Sequence, residues 1–159
     1  MGHAAPFAFD PGFRPAPGIA GFRIGTPPVL AMRVLDTALD IFEGIDMAEL
    51  ATRSADLSER LIAGVGERCP ALTLASPADP HMRGSHVSFA CPRAYPVMQA
   101  LIRECRVIGD VRAPDLLRFG IAPLYVDEND IDRCIESLIT VHEQKLWDRP
   151  DYHVRNPVT

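Results

Sequence analysis

The spacing of apolar residues changes near Pro70, and this change limits the folds that the chain can adopt. Before Pro70, apolar residues recur at helical spacing in two long stretches. After it, the apolar runs are short, alternate with polar residues and are separated by turn-forming residues. A chain that is helical first and then mixes short strands with helices is typical of an α+β fold.

Two helices are predicted in the first half. Thr26 is a favoured N-cap and the two prolines after it suit a first helical turn, so we expect a helix from there to Gly44. Asp46 can cap a second helix, which we expect to end between residues 66 and 70. Their buried stripes are predicted to be Val29, Met32, Leu35, Leu39 and Phe42, and then Leu50, Leu57, Leu61 and Val65.

The second half predicts a small sheet with helices on one of its faces. Short alternating or apolar runs predict strands at residues 72–75, 85–90, 107–110 and 116–121. Helical spacing predicts helices at residues 95–105 and 127–147. We expect the sheet to be short and mostly antiparallel.

The predicted elements divide the chain into four segments. Residues 1–25 are rich in proline, glycine and phenylalanine without a regular period, which is typical of an irregular segment at the edge of a larger body. Residues 26–70 are a helical connection, residues 71–147 a small α+β domain, and residues 148–159 a polar tail.

Composition excludes several classes of function. The net charge of −5 and the absence of a basic cluster do not favour nucleic-acid binding. No apolar run is long enough to cross a membrane, and the N-terminus lacks the pattern of a signal peptide. Four cysteines without paired spacing are typical of reduced thiols, so we expect a cytoplasmic protein. Lys145 is the single lysine beside fifteen arginines.

Arg118 is the first candidate site residue, because it lies inside the apolar run 116–124. A guanidinium keeps its charge in a protein, so a buried arginine needs an anionic or hydrogen-bonding partner. One interpretation is a structural ion pair with Asp110 or Asp115. The other is the carboxylate of a small ligand, which an arginine can bind through two parallel hydrogen bonds.

Thr26 is the second candidate. Its simplest role is that of a helix cap. The alternative is anion binding, since Gly25 leaves the backbone open and the start of a helix offers free N–H groups beside the hydroxyl.

The remaining polar residues predict neither a metal site nor a familiar catalytic set. The histidines do not pair with carboxylates at metal-binding spacing, and His86 is interpreted as a packed residue of its strand. Lys145 is interpreted as solvent-exposed at the end of the last helix.

Five blocks of sequence in collinear order carry a resemblance to a known family: PAPGIAGFRIGTPPVL (15–30), RGSHVSF (83–89), YPVMQALI (95–102), VIGDVRAPDLLRFGIAPLY (107–125) and YHVRNPVT (152–159). They resemble the C-terminal part of bacterial kynureninases. The resemblance implies the small C-terminal domain of the fold-type I, aminotransferase-like fold of pyridoxal 5'-phosphate (PLP) enzymes.

The resemblance also implies an activity. Kynureninases are PLP-dependent hydrolases of tryptophan catabolism that cleave L-kynurenine, or 3-hydroxykynurenine, to an anthranilate and L-alanine. They act as homodimers with active sites at the subunit interface. By this resemblance, Arg118 corresponds to the arginine that binds the α-carboxylate of the substrate, and Thr26 to the residue that reaches the cofactor from the partner subunit. Gly2 and His3 correspond to the end of a motif that begins with a cofactor-contacting tryptophan.

Other family features have no counterpart in these residues. The motif's tryptophan would precede Met1, and Lys145 does not correspond to the lysine that binds the cofactor covalently. We therefore expect a C-terminal fragment or one half of a split kynureninase, inactive alone and completed by a homodimer or a complementing N-terminal chain. The alternative is a non-catalytic α+β module that binds a protein partner or a small carboxylate.

Overall fold

The computed structural model describes residues 2–8, 11–23 and 25–154, and the chain forms two compact units, Met1–Ile45 and Asp46–Thr159. In the first unit, the N-terminal residues are irregular but hydrogen-bonded to one another. Gly2 donates its backbone N–H to the carbonyl of Gly21 at 2.8 Å, and its own carbonyl accepts from Ala16 at 2.9 Å.

Helix α1 spans Val29–Leu39 and is followed by a 3-10 turn and by Gly44 with a φ of 77°. The prediction that Thr26 caps this helix is wrong. Pro28 is the N-cap, and its carbonyl accepts the first helical hydrogen bond, from Met32. The reason is that a proline disfavours helical geometry in the residue before it, so two consecutive prolines hold Thr26 and Pro27 outside the helix.

Helix α2 spans Met47–Arg68 and confirms the second predicted helix at both ends. The carboxylate of Asp46 accepts hydrogen bonds from the backbone N–H groups of Ala48 and Glu49, which is the geometry of an N-cap. Three of its four predicted inward residues, Leu57, Leu61 and Val65, are buried.

The second unit contains a four-stranded antiparallel sheet, which confirms the predicted α+β class. Its strands are β1 (Thr73–Leu74), β2 (His86–Ala90), β3 (Asp110–Arg112) and β4 (Leu116–Gly120), in the spatial order β1-β2-β4-β3. The predicted strand at 107–110 is wrong. Val107 donates its N–H to the carbonyl of Leu101, and its side chain is buried in the core without being part of a strand. Pairing with β4 therefore begins only at Asp110.

Helices pack on one face of this sheet, the core face, which presents Val87, Phe89, Leu117 and Phe119. Helix α3 (Ala94–Ala100) continues through a π-helical turn to Cys105. Helix α4 (Glu128–Glu143) begins at a reciprocal capping box between Asp127 and Asp130. It packs closely on α2, where a methyl group at Gly64 would clash with the side chain of Ile135.

The C-terminal end of the described chain is more ordered than the predicted polar tail. Helix α4 stops before Lys145, which adopts a left-handed conformation, and a short helix α5 follows at Pro150–His153. The side chain of Tyr152 is buried and donates its hydroxyl to Glu104. The first residues of the predicted polar tail thus include a short helix and a buried tyrosine.

Candidate functional site

The side of the sheet that faces away from the core, the outer face, gathers the polar residues of the central strands. Arg118 on β4 lies between Ser88 on β2 and Asp110 on β3, each directly opposite it in the register of its strand pair. His86 lies two residues before Ser88 on β2, opposite Gly120, and therefore on the same face. The alternation of a β-strand produces this arrangement, because neighbouring residues point to opposite faces.

Arg118 is therefore not the buried arginine that its apolar neighbours predicted. Its side chain is 33% exposed, while Leu117 and Phe119 on either side point into the core. The apolar run contains residues of both faces, so its composition alone did not reveal which face the arginine occupies.

An ion pair joins Arg118 to Asp110, one of the two carboxylates considered as structural partners. The Nε of Arg118 donates to the two carboxylate oxygens at 3.0 and 3.1 Å, and Nη2 donates at 2.5 Å. Asp115, the other candidate, contributes only its backbone carbonyl, which accepts from the N–H of Cys91. Among the described residues, none accepts a hydrogen bond from Nη1 of Arg118.

A depression of about 500 Å³ lies beside this pair. It is lined by His86, Ile108, Gly109, Asp110, Arg118 and Gly120. The depression thus offers a guanidinium, an imidazole and an exposed apolar side chain, that of Ile108, on one surface. Such a combination can hold a small molecule that carries a carboxylate.

Gly109 fixes the distance between β3 and β4 next to the pair. A methyl group at this position would meet the backbone oxygen of Arg118 at 2.7 Å and the methyl group of Met98 at 2.7 Å. The glycine is therefore required by close approach, and it places Asp110 directly opposite Arg118.

Thr26 belongs to the first unit, where its side chain is exposed and it follows Gly25, whose φ is 74°. No hydrogen bond of the Thr26 hydroxyl occurs among the described residues. The two predicted site residues thus belong to different units, Thr26 to the first and Arg118 to the second. Both side chains are at least partly exposed to solvent.

Comparison with known proteins identifies the family. The model of the kynureninase C-terminal domain matches residues 50–138, which include both Asp110 and Arg118. The chain belongs to this family. Kynureninases of Burkholderia mallei (strain SAVP1) and Burkholderia pseudomallei (strain K96243) are 42% identical over 99% of the chain, and the Pseudomonas fluorescens kynureninase is 39% identical over all of it. The chain spans 38% of the length of these relatives.

Family membership confirms the resemblance seen in the sequence, and the similarity to whole kynureninases extends beyond the residues that the family model matches. Thr26 and His3 lie outside the matched range 50–138 but inside the alignments with the relatives. The hydrogen bonds of His3 indicate one tautomer of its ring. Its Nδ1 accepts the N–H of Ala5 at 2.9 Å, so Nε2 carries the proton and donates to the carbonyl of Gly12 at 3.1 Å.

Sequence reasoning missed Arg83 of this kynureninase-family chain, an arginine whose side chain is buried. Its side chain is 3% exposed and donates to the carbonyls of Pro77 and Ala78, each at 2.7 Å, and to Glu59. A signal was present, because the turn-rich loop before Arg83 leaves carbonyls that need donors. Arg83 therefore holds its own loop in place.

Three of the four cysteines show no sign of catalytic activation. Burial raises the pKa values of Cys69 and Cys91, and it raises that of Cys134 to about 12. A thiol with a raised pKa is a poor nucleophile at neutral pH. Among residues 2–8, 11–23 and 25–154, no group of three or more histidine, cysteine or acidic side chains is placed to bind a metal ion. No helix in the same ranges is long and apolar enough to span a membrane.

Proposed function

We propose that the chain is the C-terminal part of a cytoplasmic kynureninase, a PLP-dependent hydrolase that cleaves L-kynurenine or 3-hydroxykynurenine to an anthranilate and L-alanine. Membership of the kynureninase C-terminal domain family supports this proposal. In it, Arg118 binds the α-carboxylate of the substrate and Thr26 contacts the cofactor.

The observation that carries the proposal is the orientation of the Arg118 guanidinium. Asp110 engages Nε and Nη2, so the edge formed by Nη1 and the second hydrogen of Nη2 is left for another acceptor. A carboxylate matches that edge with two parallel hydrogen bonds. The depression beside it has room for a small amino acid.

The described residues fit a peripheral contact with PLP. Thr26 offers an exposed hydroxyl after a glycine of positive φ, which suits a donor to an anionic or phenolic oxygen. PLP, when bound, supplies an electron sink for bond cleavage next to the amino-acid α-carbon. Lys145 is exposed and follows the C-terminal end of α4. We therefore propose that the lysine that binds PLP covalently lies outside these 159 residues.

Exposed apolar side chains on α1 support association with further protein. The helix has no buried residue, although many of its side chains are apolar. Val29, Leu30, Val34 and Leu35 are all largely exposed. An apolar surface of this kind usually marks a protein contact. We propose that it meets the rest of the enzyme, as a homodimer or with a complementing N-terminal chain.

A complementation assay tests the proposed activity. The purified chain is mixed with PLP and L-kynurenine, with and without the preceding segment of the Pseudomonas fluorescens relative. We expect anthranilate and L-alanine only from the mixture that contains both proteins. Cleavage by the chain alone contradicts its proposed dependence on a second part, and no cleavage in either mixture contradicts the proposed activity. A parallel assay with 3-hydroxykynurenine measures the substrate preference.

One competing function is also consistent with the Asp110 ion pair, namely a non-catalytic interaction or carboxylate-binding module in which the pair is purely structural. This alternative predicts that adding the chain to the N-terminal segment changes neither the PLP absorption spectrum of that segment nor its activity. The complementation experiment therefore separates the two functions with one additional spectrum.

A further inference from the structure

We propose that Asp110 is a positioning residue, which fixes the guanidinium of Arg118 so that its free edge meets the carboxylate of the substrate. This inference rests on the proposed function, and it adds a residue and a physical task to the proposed substrate site. The observation behind it is the division of the Arg118 hydrogen bonds between its two edges.

The geometry defines which edge is occupied. The carboxylate of Asp110 takes the side of the guanidinium formed by Nε and Nη2, at 3.0 and 2.5 Å. A planar guanidinium has a second pair of parallel N–H groups at its end, on Nη1 and Nη2. Because Asp110 holds the first edge, the plane of the guanidinium is set. The second edge, formed by Nη1 and Nη2, then faces a single direction.

The backbone holds Asp110 in place for this task. Asp110 pairs directly with Arg118 between β3 and β4, and the close approach at Gly109 excludes a side chain that would separate these strands. Both partners therefore start from fixed Cα positions. The remaining freedom is in the side chains, and the hydrogen bonds restrict it.

Stability alone is a weak explanation for the pair. The side chains of Arg118 and Asp110 are 33% and 45% exposed, and Asp110 also accepts a longer hydrogen bond from Arg112 at 3.4 Å. Solvent-accessible ion pairs typically contribute no more than about 1 kcal/mol to folding. Holding a long arginine side chain in one rotamer before binding lowers the entropy that binding must remove. The pair is therefore better explained by ligand binding than by the fold.

The sign of the effect distinguishes positioning from competition. If Asp110 merely competed with a ligand for Arg118, its removal would strengthen binding, since one negative charge near the site would be gone. If Asp110 positions Arg118, its removal weakens binding although the site becomes more positive. The two models thus predict opposite changes in KM for a substrate that carries a carboxylate.

The test uses the complemented enzyme with Asp110→Asn, Asp110→Glu and the control Asp115→Asn, whose carboxylate makes no hydrogen bond among the described residues. We expect Asp110→Asn to raise KM for L-kynurenine about ten-fold, the change produced by loss of a hydrogen bond to a charged group. We expect kcat to stay near the wild-type value and Asp110→Glu to restore part of the loss. Asp115→Asn should leave both parameters unchanged. An unchanged or lowered KM in Asp110→Asn overturns the proposal.

A double variant tests whether Asp110 acts through Arg118. In an Arg118→Ala background, Asp110→Asn should cause no further rise in KM, because the group that it positions is gone. Additive effects of the two changes contradict the proposed positioning role.

A second measurement does not depend on turnover. The Nε–H signal of Arg118 in the NMR spectrum of the chain is titrated with L-kynurenine. We expect saturation in the wild type and about ten-fold weaker binding in Asp110→Asn. Equal responses, or none in the wild type, overturn the positioning role. Absence of cleavage together with the expected NMR response instead contradicts the proposed activity while retaining the positioning role.

Discussion

The core face and the outer face of the sheet carry alternate residues of the same strands, yet they differ in burial and in charge. Leu117 on the core face is 0% exposed, and its neighbour Arg118 on the outer face is 33% exposed. The core face contains only apolar side chains on β2 and β4, whereas the outer face pairs a guanidinium with a carboxylate. The comparison teaches that one half of a strand's residues builds the core, while the other half presents the charged pair for which we propose substrate binding.

The largest expected effect is a loss of stability from a change on the core face. Leu117→Ala should lower the free energy of unfolding by about 2–5 kcal/mol, because it leaves a cavity among Val87, Phe89 and Phe119. Urea denaturation followed by circular dichroism measures the loss. The matched control is Arg118→Ala, which should cost less than about 1 kcal/mol since its ion pair is partly exposed to solvent. Equal losses from the two variants would remove the distinction between the faces.

The next largest effect concerns the close contact at Gly109. Gly109→Ala should lower the free energy of unfolding by about 1–3 kcal/mol, because the new methyl group forces the backbone of Arg118 or the side chain of Met98 to move. Gly120→Ala is the control, since an added methyl group there meets no atom within 4 Å. Thermal unfolding compares the two variants. A stable Gly109→Ala protein would show that the strands are not held at this distance.

A smaller effect is expected from His142, a partly buried residue of α4. Burial, and then the charge of Arg93, lowers the pKa of His142 below its ordinary value of 6.5. The unfolded chain then binds more protons than the folded one, so stability falls as the pH drops through the ordinary histidine range towards the lowered pKa. His142→Gln should remove part of this decline between neutral and mildly acidic pH. Urea midpoints measured across that range test the prediction, and an unchanged pH dependence contradicts it.

The smallest effect is one of reactivity without a change in stability. Cys134 has a pKa of about 12 and is buried, so a thiol reagent at mildly alkaline pH should label it only after unfolding. Cys105 is only partly buried and serves as the internal comparison. Mass spectrometry of the labelled protein, before and after addition of denaturant, identifies each site. Rapid labelling of native Cys134 would show that α4 opens easily from the core.

Elements with a clear period and a cap were predictable from the sequence. Helix α2 combined a regular apolar stripe with Asp46, and the structure confirms both. Strands β2 and β4 followed from short alternating or apolar runs. These signals are local, because a strand or helix period is set by the residues of that element alone.

The errors arose where a neighbour decides the outcome. Thr26 has the chemistry of a cap, but the following prolines move the start of the helix. Arg118 lies among apolar residues along the chain but faces away from the core in space. Arg83 is buried by carbonyls of its own loop, and Tyr152 by contacts with α3 and Glu104. The sequence left Asp110, Asp115 and the carboxylate of a ligand as possible partners of Arg118, and the strand register places Asp110 opposite it.

The most direct test of the outer face as a carboxylate site is the kinetic effect of Arg118→Ala in the complemented enzyme, with Arg118→Lys beside it. We predict that Arg118→Ala raises KM for L-kynurenine about 100-fold through loss of two charge-assisted hydrogen bonds, with a smaller effect on kcat. Arg118→Lys should recover little, because an ammonium group cannot form the paired contacts. An unchanged KM in Arg118→Ala would contradict the assignment of the outer face to substrate binding.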